Sequence, residues 1–245
     1  MSGEAPGPAR HPRPHTGLTE DGRRLAVLTT YKRRGSRLSP EQEAAWERRR
    51  AAWWIPDEAA DAPAFELARY FGHAAPLIVE IGCGIGEATG VLAAARPHHN
   101  VLAFEVWRPG VAETFRNLER AGVENVRVMS VDAVWSLEHL LAPGEISELW
   151  TFFPDPWPKK RHHRRRLVTP GFAALAAARV EEGRLWRLAT DWPDYAEQIG
   201  RVLTESPDWE LLQPASRWEE RPLTRFERRG VRAGRPITDF TARRL

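Results

Sequence analysis

The chain has 245 residues, with 36 Lys and Arg against 33 Asp and Glu, for a net charge of +3. That length suits one α/β domain with extensions, and 42% hydrophobic with 28% charged residues excludes wholesale disorder and collagen-like repeats. A single cysteine excludes a disulfide framework or Cys-based zinc site, and neither a signal-peptide core nor a run of roughly 20 apolar residues is present, so a cytoplasmic protein is expected. From the start, residues 1–38 read as a basic arm, flexible over 1–17 where Pro6, Pro8, Pro12 and Pro14 stand. A helical extension follows over 39–76, opening with Ser39 as N-cap, Pro40 in the first turn and Gln42 completing a capping box. The main domain, 77–245, alternates β-type runs with helical stretches, which predicts a doubly wound, mostly parallel sheet. Its strands are expected at 77–81, 100–106, 125–131, 146–153 and 183–190, with helices near 87–96, 109–121, 135–141, 170–181 and 193–204. Two last apolar pieces, 209–212 and 236–242, are expected to pair as an antiparallel edge.

The net charge hides a segregation. Residues 1–50 carry 11 basic and 6 acidic side chains and residues 217–245 carry 9 and 4, whereas 51–216 carry 16 and 23. Within that acidic body lies KKRHHRRR (159–166), six permanent cations and two histidines. A loop so charged repels itself unless an anion accompanies it, which points to a localised polyanion site.

The first strand runs into Glu80-Ile81-Gly82-Cys83-Gly84-Ile85-Gly86 and then a helix, the arrangement that brings a ligand against backbone amides at a sheet's C-terminal edge. The glycine spacing is G-x-G-x-G, not the G-x-G-x-x-G of dinucleotide folds. Glu80 beside the loop opposes a pyrophosphate but suits a cationic ligand such as S-adenosylmethionine. Glu105, at the end of the second strand, stands where a carboxylate takes ribose hydroxyls, and Asp132, after the third, where it accepts from an adenine amino group.

The fourth strand ends in TFFPDPWPKKRHHRRR, where prolines stiffen the loop and fix the directions of Asp155 and Trp157. An acidic-Pro-aromatic loop here resembles those with which many N-methyltransferases hold a planar base, the aromatic stacking and the carboxylate bonding the base edge. The cations follow at once, where phosphates flanking that base would lie.

FFPDPWPKKRHHRRR, Thr190-Asp191 and RPLTRFERRG (221–230) together resemble the bacterial tRNA (guanine-N7-)-methyltransferase family over about residues 77–245. The resemblance implies a Rossmann-like methyltransferase domain, S-adenosylmethionine as cofactor and guanine 46 of the tRNA variable loop as target. It implies that Glu80, Glu105, Asp132 and Asp155 contact the methyl donor beside Gly82, Gly84 and Gly86, and that Asp155 is the catalytic carboxylate. Lys159, Asp191 and the segment Thr224, Arg225, Phe226, Glu227 would hold the substrate, and Arg161, His162, His163, Arg164, Arg165 and Arg166 would run along the RNA. Lys159 is one of only three lysines in a chain that otherwise uses arginine, as if a compact point charge were required there. Guanine N7 needs no general base, so an orienting, charge-stabilising Asp155 is expected. Six phosphate contacts would give a salt slope of about −4 to −5. The alternatives are a methyltransferase for a small basic metabolite, which has no use for the cations, a nicotinamide oxidoreductase, disfavoured by Glu80 and the glycine spacing, and a catalytically silent RNA-binding subunit, against which the intact acids argue. Neither membrane nor metal is implied, and monomer and homodimer remain equally compatible with the sequence.

Overall fold

The computed structural model describes residues 37–62, 65–212 and 217–245. The expected flexible arm therefore lies outside the described residues except for its last two positions. The main sheet has seven strands in the order β3-β2-β1-β4-β5-β7-β6. These are β1 (Leu77–Ile81), β2 (Asn100–Phe104), β3 (Val126–Met129), β4 (Ile146–Phe152), β5 (Val180–Thr190), β6 (Trp209–Leu211) and β7 (Thr238–Arg244). The first five pair in parallel, whereas β7 runs antiparallel to both β5 and β6. The expected antiparallel pair thus forms, but β7 lies inside the sheet and only β6 is the edge.

The parallel strands are apolar on both faces because helices cover both. On β1 the alternate residues Leu77, Val79 and Ile81 enter one core, with Phe172 of α6 (Pro170–Arg179) and Tyr195 of α7 (Pro193–Glu205). Ile78 enters the other, with Leu92 of α3 (Glu87–Ala94) and Phe115 of α4 (Arg108–Ala121). The helix α1 (Pro40–Trp53) begins with the expected capping box: the Gln42 amide donates to Ser39 Oγ, and the Ser39 amide donates to Gln42 Oε1. It packs on α4, with Trp46 stacked on Phe115 at 5.5 Å and Arg49 bonded to Glu119. The extension is therefore built into the same core, and the Ile55 amide even donates to the Val128 carbonyl of β3. The short helix α2 (Ala68–Phe71), within the expected helical extension, leads into β1. Helix α5 (Ala133–His139) begins two residues earlier than expected because Asp132 caps it, its Oδ1 accepting from the Trp135 amide at 3.0 Å.

Strand order reverses between β1 and β4, and the crevice beyond the carboxyl ends of strands at such a switch is where an open α/β sheet receives a ligand. Among the described residues, no helix is long and apolar enough to cross a membrane.

Candidate active site

A cleft opens at that switch point. Its walls include Glu80, the loop 82–85, Glu105, Asp132, Asp155, Thr224 and Phe226, so all four expected acids and part of the C-terminal segment meet in one place. The glycine loop follows from steric demand. Gly82, Gly84 and Gly86 all have positive φ, and a side chain on Gly86 would meet Thr114 Cγ2 at 2.6 Å. Glu105 braces the loop: one carboxylate oxygen accepts from the Gly84 amide at 2.8 Å and the other from the Trp107 amide at 2.7 Å.

Glu80 is 2% exposed, and its one oxygen accepts from Thr89 Oγ1 at 2.6 Å. Burial raises its pKa; the Thr89 hydrogen bond opposes this and the Glu105 charge adds to it, leaving the group at about 7. Burial likewise raises Asp132 above the usual carboxylate range, against the backbone amides of α5. A desolvated carboxyl pair along a cleft disfavours an anion and gains from a cation, so the walls fit a sulfonium and an amino group. The charge of S-adenosylmethionine fits this donor set. Cys83 is buried beside Thr114, and burial pushes its thiol up, so it fills space without reactivity.

The loop after β4 is constrained as its prolines require. Phe153 and Trp157, neither of them glycine, both take positive φ, at 52° and 45°. Asp155 sits between them on the cleft wall. Trp157 departs from expectation: it is 6% exposed, with the Arg165 guanidinium 4.9 Å above its ring and His162 edge-on at 5.8 Å. It is a packed pillar beneath the cations, not a stacking surface. Lys160–Arg165 form a 3-10 turn on that pillar, presenting Lys159, Lys160, Arg161 and Arg164 to solvent. His162 is held below its ordinary pKa by desolvation and by the cations around it.

Two expected substrate contacts are corrected. Arg166 is buried: its Nη2 donates to Asp194 at 2.8 and 2.9 Å, Nη1 to Gln198 and Nε to the Pro156 carbonyl. It fastens the cationic turn to α7 and is turned away from solvent. Glu227 is 2% exposed and engaged by Arg217 and by Arg221, which is fully buried and also grips Asp239 of β7. Burial raises the Glu227 carboxyl, but the hydrogen bonds from Arg217 and Arg221 outweigh it and hold it below its ordinary value. Asp191, just past β5, accepts from Arg235 at 2.6 and 2.9 Å, with Gly230 pressed against it.

The segment TRFE is not an isolated turn but the start of α8 (Arg225–Arg232), with Thr224 Oγ1 accepting from the Glu227 amide. Its T-x-x-E spacing is a capping-box signature that marks a helix start without any relative. The helix leans on the cofactor side, where the Arg225 amide and the Arg228 guanidinium both donate to Glu87. Glu87 lines the cleft and carried no sequence expectation.

The Methyltransf_4 family model, described as "Putative methyltransferase", matches residues 74–240. A tRNA (guanine-N(7)-)-methyltransferase of Nocardioides sp. is 57% identical, covering 100% of this chain and 98% of the relative. The chain belongs to the tRNA (guanine-N(7)-)-methyltransferase family. A family member of Cutibacterium acnes is 43% identical over 89% of this chain and 83% of its own. A family member of Streptomyces coelicolor is 42% identical, over 89% and 81%. Among solved structures, TrmN from Thermus thermophilus is 16% identical with a TM-score of 0.48, covering 73% of this chain and 47% of that one. A family methyltransferase uses S-adenosylmethionine, and the cleft's acids suit that cofactor's charge.

Proposed function

We propose that this enzyme methylates guanine N7 in tRNA, at position 46 of the variable loop, in the cytoplasm. The observation that carries this reading is the adjacency of an acid-lined cleft and a solvent-facing cationic turn, joined by the stiff segment Pro154–Pro158 that holds Asp155 between them. A methyltransferase for a small metabolite has no use for that turn.

When bound, S-adenosylmethionine supplies an electrophilic methyl group, and guanine N7 is an unprotonated acceptor able to take it without a general base. The protein's work is alignment and exclusion of water. Glu105 and the glycine loop fix the donor end, and Asp132 the opposite wall. Asp155 bonds the edge of the base and stabilises the positive charge that the ring gains on methylation. Asp191, held by Arg235, follows β5 at the carboxyl edge of the sheet and is assigned to the substrate. Thr224 and Phe226 close the rim, and Glu227 positions them through Arg221.

The test is incubation of the purified protein with S-adenosylmethionine and unmodified tRNA, followed by digestion and mass spectrometry. 7-Methylguanosine mapping to position 46 is the expected product. Turnover of a small amine with no product on tRNA overturns the proposal. Asp155→Asn is expected to lower kcat about 10²-fold with the cofactor still bound; an unchanged kcat removes Asp155 from the chemistry.

A further inference from the structure

Helix α8 carries a cationic face that the turn at 159–166 does not account for. Arg225, Arg228, Arg229 and Arg232 recur at i, i+3, i+4 and i+7, so they share one side of the helix and line a shallow concavity there. The opposite side, Glu227 and Gly230, is buried against Arg221 and Asp191. Of the four guanidiniums only Arg228 has a carboxylate partner, Glu87, among the described residues. Arg225 is the first residue of the helix, where a cation opposes the helix dipole, so it does not serve helix stability. Three of the five large hydrophobic side chains exposed among the described residues flank this face: Leu223 at 58%, Phe226 at 40% and Val231 at 57%. Phe226 also lines the cleft, its ring 3.5 Å from where a side chain on Gly84 would begin.

We infer that the outer face of α8 carries RNA contact beyond the segment Thr224–Glu227 already expected to hold substrate: on a surface distinct from the cationic turn, Arg229 and Arg232 grip phosphates and Leu223 packs a base or ribose. The inference rests on the proposed action on tRNA. Guanidinium forks suit phosphate oxygens, and an exposed aromatic beside them suits an unstacked nucleotide, the pairing found where single-stranded RNA is held. An acidic protein would use the charges but has less need of an aromatic at the mouth of a cofactor cleft. With two cationic surfaces at its rim, the cleft receives a base whose strand is held at more than one point.

The test is the pair Arg229→Glu and Arg232→Glu in one protein, compared with wild type and with Arg229→Lys, Arg232→Lys. The affinity for tRNA is measured against salt concentration, with calorimetric binding of S-adenosylmethionine as the check of folding. Loss of two phosphate contacts flattens the slope of log K against log salt by about 1.4 to 1.8, and the lysine pair keeps the wild-type slope. Wild-type affinity and slope in the glutamate pair, with cofactor binding intact, overturn the inference. If the glutamate pair fails to bind cofactor, Arg229→Ala, Arg232→Ala is read by the same criteria. Unchanged tRNA binding together with lost binding of polyglutamate assigns the face to an acidic protein and also overturns it. Wild-type protein that makes no 7-methylguanosine, yet binds tRNA through these arginines, keeps the surface and rejects the proposed activity instead.

Discussion

Glu80 couples the cofactor site to pH. Its carboxyl is raised in the folded protein from 4.5 to about 7, so the ligand-free fold binds this proton more tightly than the unfolded chain. The contribution of Glu80 to stability is therefore fully present below about pH 4.5 and is lost as pH rises through about 7, by on the order of 3 kcal/mol. A cationic ligand reverses the preference, because it favours the ionised form. S-adenosylmethionine affinity is expected to rise toward pH 7 and level off above it, and thermal shift of the ligand-free Glu80→Gln variant should show a gain over wild type at pH 8 that shrinks at pH 5. Identical pH profiles for variant and wild type contradict this coupling. That Glu80, Glu105 and Asp132 face the cleft was legible in the sequence, since they stand at three successive strand ends, whereas Glu87, in the first turn of a helix, was not. The burial of Arg166 and Glu227 was not legible either: Asp194, which holds Arg166, is 28 positions away, and Glu227 is buried by Arg217 and Arg221, whose placement depends on Asp239 of a distant strand.

Among the elements, α8 is the one whose position depends most on charge. Arg221 sits between Glu227 of the helix and Asp239 of β7, all three nearly inaccessible. Arg221→Met leaves two buried carboxylates without their cation and is expected to cost about 3 to 5 kcal/mol. Since about 1 kcal/mol shifts Tm by 2–4 °C in a chain this long, calorimetry should show a fall of roughly 10 °C. Thr224→Ala, which removes only the cap, is expected to cost about 1 kcal/mol. The sheet was readable element by element because its parallel strands are short, mostly apolar runs that alternate with helical stretches, and the capping box of α1 announced that helix. The start of α8 carried the same kind of signature, but Arg225, Arg228, Arg229 and Arg232 give its outer face no apolar stripe, so the charge pattern masked a helix that is defined by one buried arginine. The inward position of β7 was illegible because alternation fixes which face a residue takes, not which neighbour a strand chooses.

On the scale of the whole molecule, the small net charge of +3 results from a spatial division of labour. The acids gather in the cleft and in ion pairs, and the free cations gather on the turn 159–165 and on α8. With Arg166 withdrawn into the interior and Arg165 laid on Trp157, the turn keeps four solvent-facing cations, and Arg225, Arg229 and Arg232 raise the number on the two surfaces to seven. The salt slope for tRNA is then expected near about −5 to −6, against about −3 to −4 for the four cations of the turn alone. Filter binding between low and moderate salt separates the two values.

The place of β7 also bears on how the molecule is made. Synthesis delivers β5 and β6 before β7, yet β7 lies between them and is the one strand that β6 pairs with. Until residues 238–244 emerge, the 11-residue strand β5 presents a bare edge, and such an edge invites pairing with a neighbouring nascent chain. The same event that closes this edge brings Asp239 to Arg221 and so seats α8 at the rim of the cleft. Each chain therefore closes its open sheet edge and seats α8 in a single late step.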